Sequence, residues 1–442
     1  MRPGTSTEFD VAAQSEWRRF LRLPLGIAVI ALAIRLAVIG WMYGVAGGSA
    51  AQAQFTLPTE AAWVARSIAT GRGFYSPLPS PTGPTAWEPP VYPYLLAGVF
   101  RVFGVFTSAS AVAILALNSL FSALTCLPVF FLARRSFGPT VAVAAAWTWA
   151  VFPNALYVPV HFVWDTALAT LLIAALALLA MHLEESPGVG PAAGFGLLWG
   201  LAALTNASLF TALPPVGGWL CWRWSRRGAR WAGLAAAAAL AFLLSVAPWF
   251  ARNYRTFGRF VPFRSNFGLA LWLGNGLETE VRERDWLRPY ANLGERQRME
   301  RLGELAYMKE KREQAAEFIA SHPGTFAWLT FKRVVFIWTG IWNLTPDYLL
   351  ATPMGVVSIP FCTILTVLAL AGLRQAFRLG KPIAWPCALL LLALPLVYYI
   401  TLVSVRYRHP MDPFLVVLAA YAVVESRTRR SEIPRPPERT IP

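Results

Sequence analysis

Residues 55–104 read FTLPTEAAWVARSIATGRGFYSPLPSPTGPTAWEPPVYPYLLAGVFRVFG, and the reading of this stretch decides what the rest of the chain must build. It is too polar, and too rich in proline and glycine, to cross a bilayer itself. Its first part predicts a short helix. Pro58 suits a first turn, Leu57, Ala61, Val64, Ala65 and Ile68 recur at helical spacing, and Gly71 ends the run. Glu60 and Ser67 are expected on the face opposite that apolar stripe. The next segment, GRGFYSPLPSPTGPTAW, holds too many turn formers for regular structure. Glu88-Pro89-Pro90 then leads into Val91-Tyr92-Pro93-Tyr94-Leu95-Leu96, an aromatic and apolar return to the membrane surface. Two carboxylates, Glu60 and Glu88, thus share one membrane-adjacent loop.

On both sides of this loop the chain has the composition of a membrane protein. Of its 442 residues 56% are hydrophobic and the mean hydropathy is +0.48, which sets aside an ordinary soluble protein. A net charge of +16 would direct a soluble chain toward nucleic acid. Here most Lys and Arg flank apolar runs, as positive-inside anchors do, so no nucleic-acid partner is expected. Cys126, Cys221, Cys362 and Cys387 lie in apolar stretches without CxxC spacing and read as small buried hydrophobes.

Upstream of the loop, residues 1–22 form a polar cytoplasmic segment and Leu23 to Val45 the first span. Ala51-Gln52-Ala53 resembles a cleavage site, but the apolar run is a full crossing with Arg35 in its middle, so a retained signal anchor is expected. Arg35 is costly in lipid and should face the bundle interior and pair there. Downstream, spans are predicted near 108–132, 139–157, 164–182, 191–208, 209–223, 231–250, 352–373, 383–403 and 410–425. With the N-terminus inside, Arg134, Arg135, Arg223, Arg226, Arg227, Arg230, Arg374, Arg378 and Lys381 all fall on the cytoplasmic side. The expected fold is therefore an all-α polytopic protein of the inner (cytoplasmic) membrane, a bundle of about ten helices with both termini cytoplasmic. It divides into a transmembrane module at 23–250 carrying the exoplasmic first loop 46–107, an exoplasmic segment at 251–351, C-terminal helices at 352–425 and a disordered basic tail at 426–442. Within 251–351, the run 294–320 predicts one charged amphipathic helix closed by His322-Pro323-Gly324. Lys332-Arg333, at the centre of the next apolar stretch, place that stretch in the membrane interface.

An acid opening a short helix, a Gly-x-Gly-Phe turn and a second acid before Pro-Pro-x-Tyr-Pro resembles the first loop of the GT-C membrane glycosyltransferases. The pattern is most similar to the family 39 relatives: protein O-mannosyltransferases, the aminoarabinose transferases that modify lipid A, and RgtA/B/C/D-like enzymes. The resemblance implies a GT-C-like bundle that takes a sugar from a polyprenyl-phosphate carrier on the outer membrane face. It implies Glu60 as the catalytic acid of the family and Glu88 as the acid of the Phe-Glu-Lys-Pro-Pro motif of the lipid A enzymes. This chain departs from the pattern in having Glu where Asp is commoner, and Pro89 where those enzymes have Lys. Tyr92, from the Pro-Pro-x-Tyr-Pro run, joins the substrate-binding set. Asp165 resembles the Asp that begins the matching mannosyltransferase helix, and Arg406-Tyr407-Arg408 resembles an Arg-Tyr-Arg-x-Pro run of the family.

The chemistry fits these residue types. Transfer from a lipid phosphate needs a base for the acceptor hydroxyl and little acid assistance, because phosphate already leaves readily. Attack opposite that phosphate inverts the anomeric centre. Arg406 and Arg408 suit phosphate oxygens bidentately, with Arg72, Arg252 and Arg255 as further cations at that level. Each residue also has a plainer reading: Glu60 as a carboxylate favoured by the helix dipole, Glu88 as a turn cap, Asp165 as an N-cap, the arginines as headgroup anchors. No cofactor is required; a divalent cation bridged by substrate phosphate stays open, with Glu88 and His161 as its nearest candidates. The partners implied are a polyprenyl-phosphate-linked sugar, an envelope acceptor and the bilayer. A transporter or lipid-linked sugar flippase is the alternative, and an inactive assembly protein on the same scaffold a third. Transporters generally show repeats with polar groups at the midplane, and no repeat is visible here.

Overall fold

The structure, a computed structural model, describes residues 20–44, 59–276, 285–342 and 353–432. The expected N-terminal segment, Leu57, Pro58, the Ala51-Gln52-Ala53 site and the end of the tail fall outside these residues. All principal elements described are helices. α1 (Pro24–Gly44) is followed by α2 (Glu60–Ala69) and α3 (Val91–Phe103) in the first loop. α4 (Ser108–Leu124) and α5 (Cys126–Phe137) make one apolar stretch, and α6 (Pro139–Val151) and α7 (Pro153–His161) another, bent by 42° where Pro153 removes a backbone donor. α8 (Thr166–Glu185), α9 (Val189–Thr205), a 3-10 turn (Ala207–Ala212), α10 (Leu213–Arg226) and α11 (Trp231–Phe257) complete the N-terminal bundle. α12 (Phe267–Gly274), α13 (Leu293–Leu302), α14 (Glu304–Ser321) and α15 (Pro323–Thr339) form the polar segment. α16 (Pro353–Arg378), α17 (Ala384–Ala393), α18 (Leu396–Ile400), α19 (Val405–Arg408) and α20 (Asp412–Glu432) close the chain.

The chain is a multi-pass membrane protein, and every apolar segment expected from the sequence is helical. Among the described residues, five helices are long and apolar enough to cross a bilayer, and the bent α6–α7 pair makes six. The remaining expected spans are shorter or interrupted. Asn206 ends α9, and α17 gives way to α18 at Leu394-Pro395. Helices this apolar gain little by burying hydrocarbon against hydrocarbon, so close backbone approach holds them together. Gly196 and Gly200 put one face of α9 directly on α11: a Cβ on Gly196 would stand 2.0 Å from the Ala238 carbonyl oxygen, and one on Gly200 1.7 Å from Ser245 Oγ.

Arg35 lies in the bundle interior, fully buried, as expected. Its partners are not acids. The guanidinium donates to the carbonyls of Ala31 (2.8 Å), Ala150 (3.2 Å) and Ala155 (2.9 Å) and to Ser122 Oγ (3.2 Å). Backbone carbonyls, among them Ala150 at the end of α6 and Ala155, which Pro159 leaves without a helical donor, solvate the cation in place of a counter-charge.

Three local expectations are corrected. The face of α2 carrying Glu60 and Ser67, opposite the apolar stripe, is not a polar outer face: both residues are buried, and it is Arg66 that is exposed. The charged run 294–320 is not one helix: Gly303, at φ +78°, breaks it into α13 and α14. In α15, Arg333 does not reach outward as an interfacial anchor. It is buried and donates to the carbonyls of Gly274 and Tyr399 and to Asn275 Oδ1.

Candidate active site

Glu60 is the first residue of α2. Thr59 caps the helix, its Oγ1 accepting from the Ala62 amide at 3.4 Å, and the same hydroxyl donates to the Val163 carbonyl at 3.3 Å. That second bond ties the start of α2 to the segment just ahead of α8, where Asp165 sits. Asp165 precedes α8 without capping it through its side chain; its carboxylate is hydrogen-bonded by Asn206 at the end of α9 instead.

The proline-rich loop between α2 and α3 closes on itself. Ser76 donates its amide to Gly83 O at 2.9 Å and Thr85 to Phe74 O at 3.3 Å, so that Tyr75 and Pro84 face each other. Two distant side chains then fix it. Arg252 of α11 donates to the carbonyls of Thr85 (2.6 Å) and Phe74 (2.8 Å), with its plane over the rings of Phe74 and Trp249. Glu304, the first residue of α14, accepts from Thr85 Oγ1 (2.5 Å), the Ala86 amide (2.9 Å) and Ser265 Oγ (2.6 Å). A loop with few hydrogen bonds of its own thereby presents Glu88 from a fixed backbone, and Ser265 fixes its neighbour Arg264 in the same stroke.

These elements enclose a cavity of about 440 Å3. Glu60, Glu88 and Asp165 line it, and so do Arg264, Arg288 and Arg406. Arg264 Nη2 stands 3.3 Å from Glu88 Oε1, and Arg288 Nη1 is 3.9 Å from Glu60 Oε1. Arg406 lies over Trp164, 4.3 Å from the ring centre, and no carboxylate of the described residues comes within salt-bridge distance of it. Tyr398 and Tyr407 stack 4.3 Å apart in the wall, and the Tyr398 hydroxyl is 2.6 Å from Ser208 Oγ. Burial pushes the Glu88 carboxyl up to about 7 against the pull of Arg264, with Glu60 and Asp165 adding repulsion. Asp165 is pushed up to about 6, again by burial, with Arg264 and Arg406 opposing. A site with three acids, three guanidiniums and aromatic walls can bind an anion, orient a polyol and take up a proton.

The sequence model of the dolichyl-phosphate-mannose-protein mannosyltransferase family matches residues 87–249. An oligosaccharyltransferase from Archaeoglobus fulgidus in the apo form superimposes with a TM-score of 0.53, at 16% identity, over 92% of this chain and 51% of that one. AglB from Archaeoglobus fulgidus, in complex with an inhibitory peptide and a dolichol-phosphate, gives 0.52 at 17% identity over 93% and 52%. The fold is that of the GT-C superfamily. ArnT from Cupriavidus metallidurans bound to undecaprenyl phosphate is also similar, with a TM-score of 0.49 and 16% identity over 90% of this chain and 60% of that one. The chain thus spans between about half and three fifths of the length of these proteins. No curated protein sequence matches it.

On this GT-C scaffold the residues singled out from the sequence separate into two groups. Glu60, Glu88, Asp165 and Arg406 meet in the cavity. Arg408 does not: it is buried behind the cavity wall, paired with Asp412 at 2.9 Å and donating to the carbonyls of Ile337, Trp338 and Cys362, where it locks α19 to α15, α16 and α20. Tyr92 is buried beneath the site, accepting from the Asn118 amide at 3.0 Å. Arg72 is exposed and lines a separate small pocket with Arg66. His161 turns back to the Tyr157 carbonyl at 3.0 Å and is not among the lining residues. Among the described residues no three His, Cys, Asp or Glu side chains gather as a metal-binding group. Arg264, Arg288, Asn206, Tyr398 and Glu304 were not singled out from the sequence. The one available signal was a cluster of arginines, Arg252 to Arg264, on the side of the membrane where the charge pattern expects few.

Proposed function

We propose that this protein is an inverting GT-C glycosyltransferase that moves a sugar from a polyprenyl-phosphate-linked donor to an envelope acceptor, lipid, glycan or protein. The observation that carries the reading is the convergence of Glu60, Glu88 and Asp165 with Arg264, Arg288 and Arg406 on one cavity. The donor phosphate sits on Arg406, whose guanidinium lies over Trp164 with no carboxylate of the described residues close enough to compete for it. The acceptor hydroxyl oxygen attacks the anomeric carbon as the bond from that carbon to the phosphate oxygen breaks. The bonding pair leaves with the phosphate, and the hydroxyl proton passes to the Glu60 carboxylate. Glu88 and Asp165 orient the acceptor. The basic ends of α5, α10 and α16 favour a cytoplasmic location for both termini and an exoplasmic one for the cavity.

The test is transfer of a labelled sugar from a synthetic polyprenyl-phosphate donor by purified protein. Glu60→Gln keeps shape and lipid binding but cannot accept the proton, so turnover falls by about two to four powers of ten. Arg406→Ala weakens donor retention in native mass spectrometry, and Arg406→Lys recovers only part of it. Full turnover in Glu60→Gln would remove the proposed base and with it this mechanism.

A further inference from the structure

α8 begins at the cavity, and His182 lies about 24 Å further along the helix at 1.5 Å per residue. At that far end α5 and α8 part around a groove of about 730 Å3, a size typical of ligand pockets. Leu127, Phe131, Ala175, Leu178 and Leu179 give it apolar walls, while Arg134, Arg135 and His182 stand at its mouth. Both helices belong to membrane-spanning stretches, Ser108–Phe137 and Thr166–Glu185, so the groove opens toward acyl chains.

The charges at the mouth are not balanced. Glu185 is engaged by Nε and Nη2 of Arg135, and Glu184 is held by Arg223 and Arg227. Arg134 is exposed, and no carboxylate of the described residues lies within salt-bridge distance of it. We infer that this groove binds one anionic phospholipid, an acyl chain along Phe131 and Leu178 and the phosphate on Arg134 beside His182. An uncompensated guanidinium above an apolar slot between two spans is the arrangement that retains acidic headgroups. A zwitterionic lipid would bring its own cation to the same guanidinium and lose most of that attraction. The site is independent of the transfer cavity, lying at the opposite end of α8.

The full chain, purified from nanodiscs of equal phosphatidylglycerol and phosphatidylcholine, is examined by native mass spectrometry. One phosphatidylglycerol is expected to stay bound in clear excess over phosphatidylcholine. Ala175→Trp fills the slot and abolishes this retention. Arg134→Gln, on the exposed rim where folding is not at stake, reduces it about fivefold. Equal retention of the two lipids, or unchanged retention in Arg134→Gln, overturns the inference. If the variants instead lose an added polyprenyl phosphate while keeping phosphatidylglycerol, the groove belongs to the donor and the inference also falls.

Discussion

Glu304 accepts three hydrogen bonds from two separate loops while lying outside the cavity itself. It acts on the site through the residues it holds. Glu304→Gln places an amide NH2, a donor, where either Thr85 or the pair Ala86 and Ser265 donate, and Glu88 and Arg264 then lose their fixed backbones. KM for substrate is expected to rise about tenfold, the lower end of the effect of one lost charged hydrogen bond, with the Glu60 step intact. An unchanged KM would show that the loop keeps its form without this staple. Burial pushes Glu88 itself up to about 7. If its ionised form orients the acceptor, activity rises with pH through an acid limb between about 6 and 7, shared with Asp165, and Glu88→Gln alters that limb. Stability moves the other way. Between the ordinary 4.5 and about 7 the folded state holds a proton the unfolded state has lost, so unfolding becomes easier as pH rises across that window. Glu60 and Glu88 were legible in the sequence because their neighbours fix the backbone of one membrane-adjacent loop, and Asp165 and Arg406 because their runs resemble those of the family 39 relatives. Arg264 and Arg288 were not, since nothing local marks which arginine of a loop turns inward.

Among the elements, apolar periodicity located the helices, and backbone chemistry decided where they stop. The run 294–320 keeps its charge pattern straight through Gly303, so the pattern alone predicts one helix. The positive φ of that glycine ends α13 and lets Glu304 start α14 pointing at the first loop. The contact of α9 with α11 was equally hidden, because a glycine pair in an apolar run looks like any weak helix until its partner is known. Gly200→Val should lower thermal stability by about 1–3 kcal/mol through overpacking against Ser245. Gly190→Ala, where a Cβ meets nothing within 4 Å, should leave it unchanged within about half a kcal/mol. A melting series by intrinsic tryptophan fluorescence separates the two. Equal melting points would mean that α9 and α11 shift apart at no cost.

For the molecule as a whole, the charge pattern makes its own prediction. A reporter active only outside the cytoplasm should work when fused at Gly276 and stay silent after Arg227 or at the C-terminus. Activity at the C-terminus would require an odd error in the number of crossings. The architecture was legible as far as hydropathy reaches: each apolar segment is a helix, but bends and breaks make the tally of full crossings a matter of tertiary packing. Arg35 shows what that dependence means during synthesis. Its acceptors at Ala150 and Ala155 lie 115 and 120 residues downstream. At about 5–20 residues per second, roughly 6–24 seconds pass before the ribosome delivers them. Through that interval a guanidinium at mid-bilayer costs about 2.5–3.5 kcal/mol on the insertion scale. Until the α6–α7 bend has been synthesised, Arg35 of α1 lacks two of the carbonyl acceptors that hold it in the finished bundle.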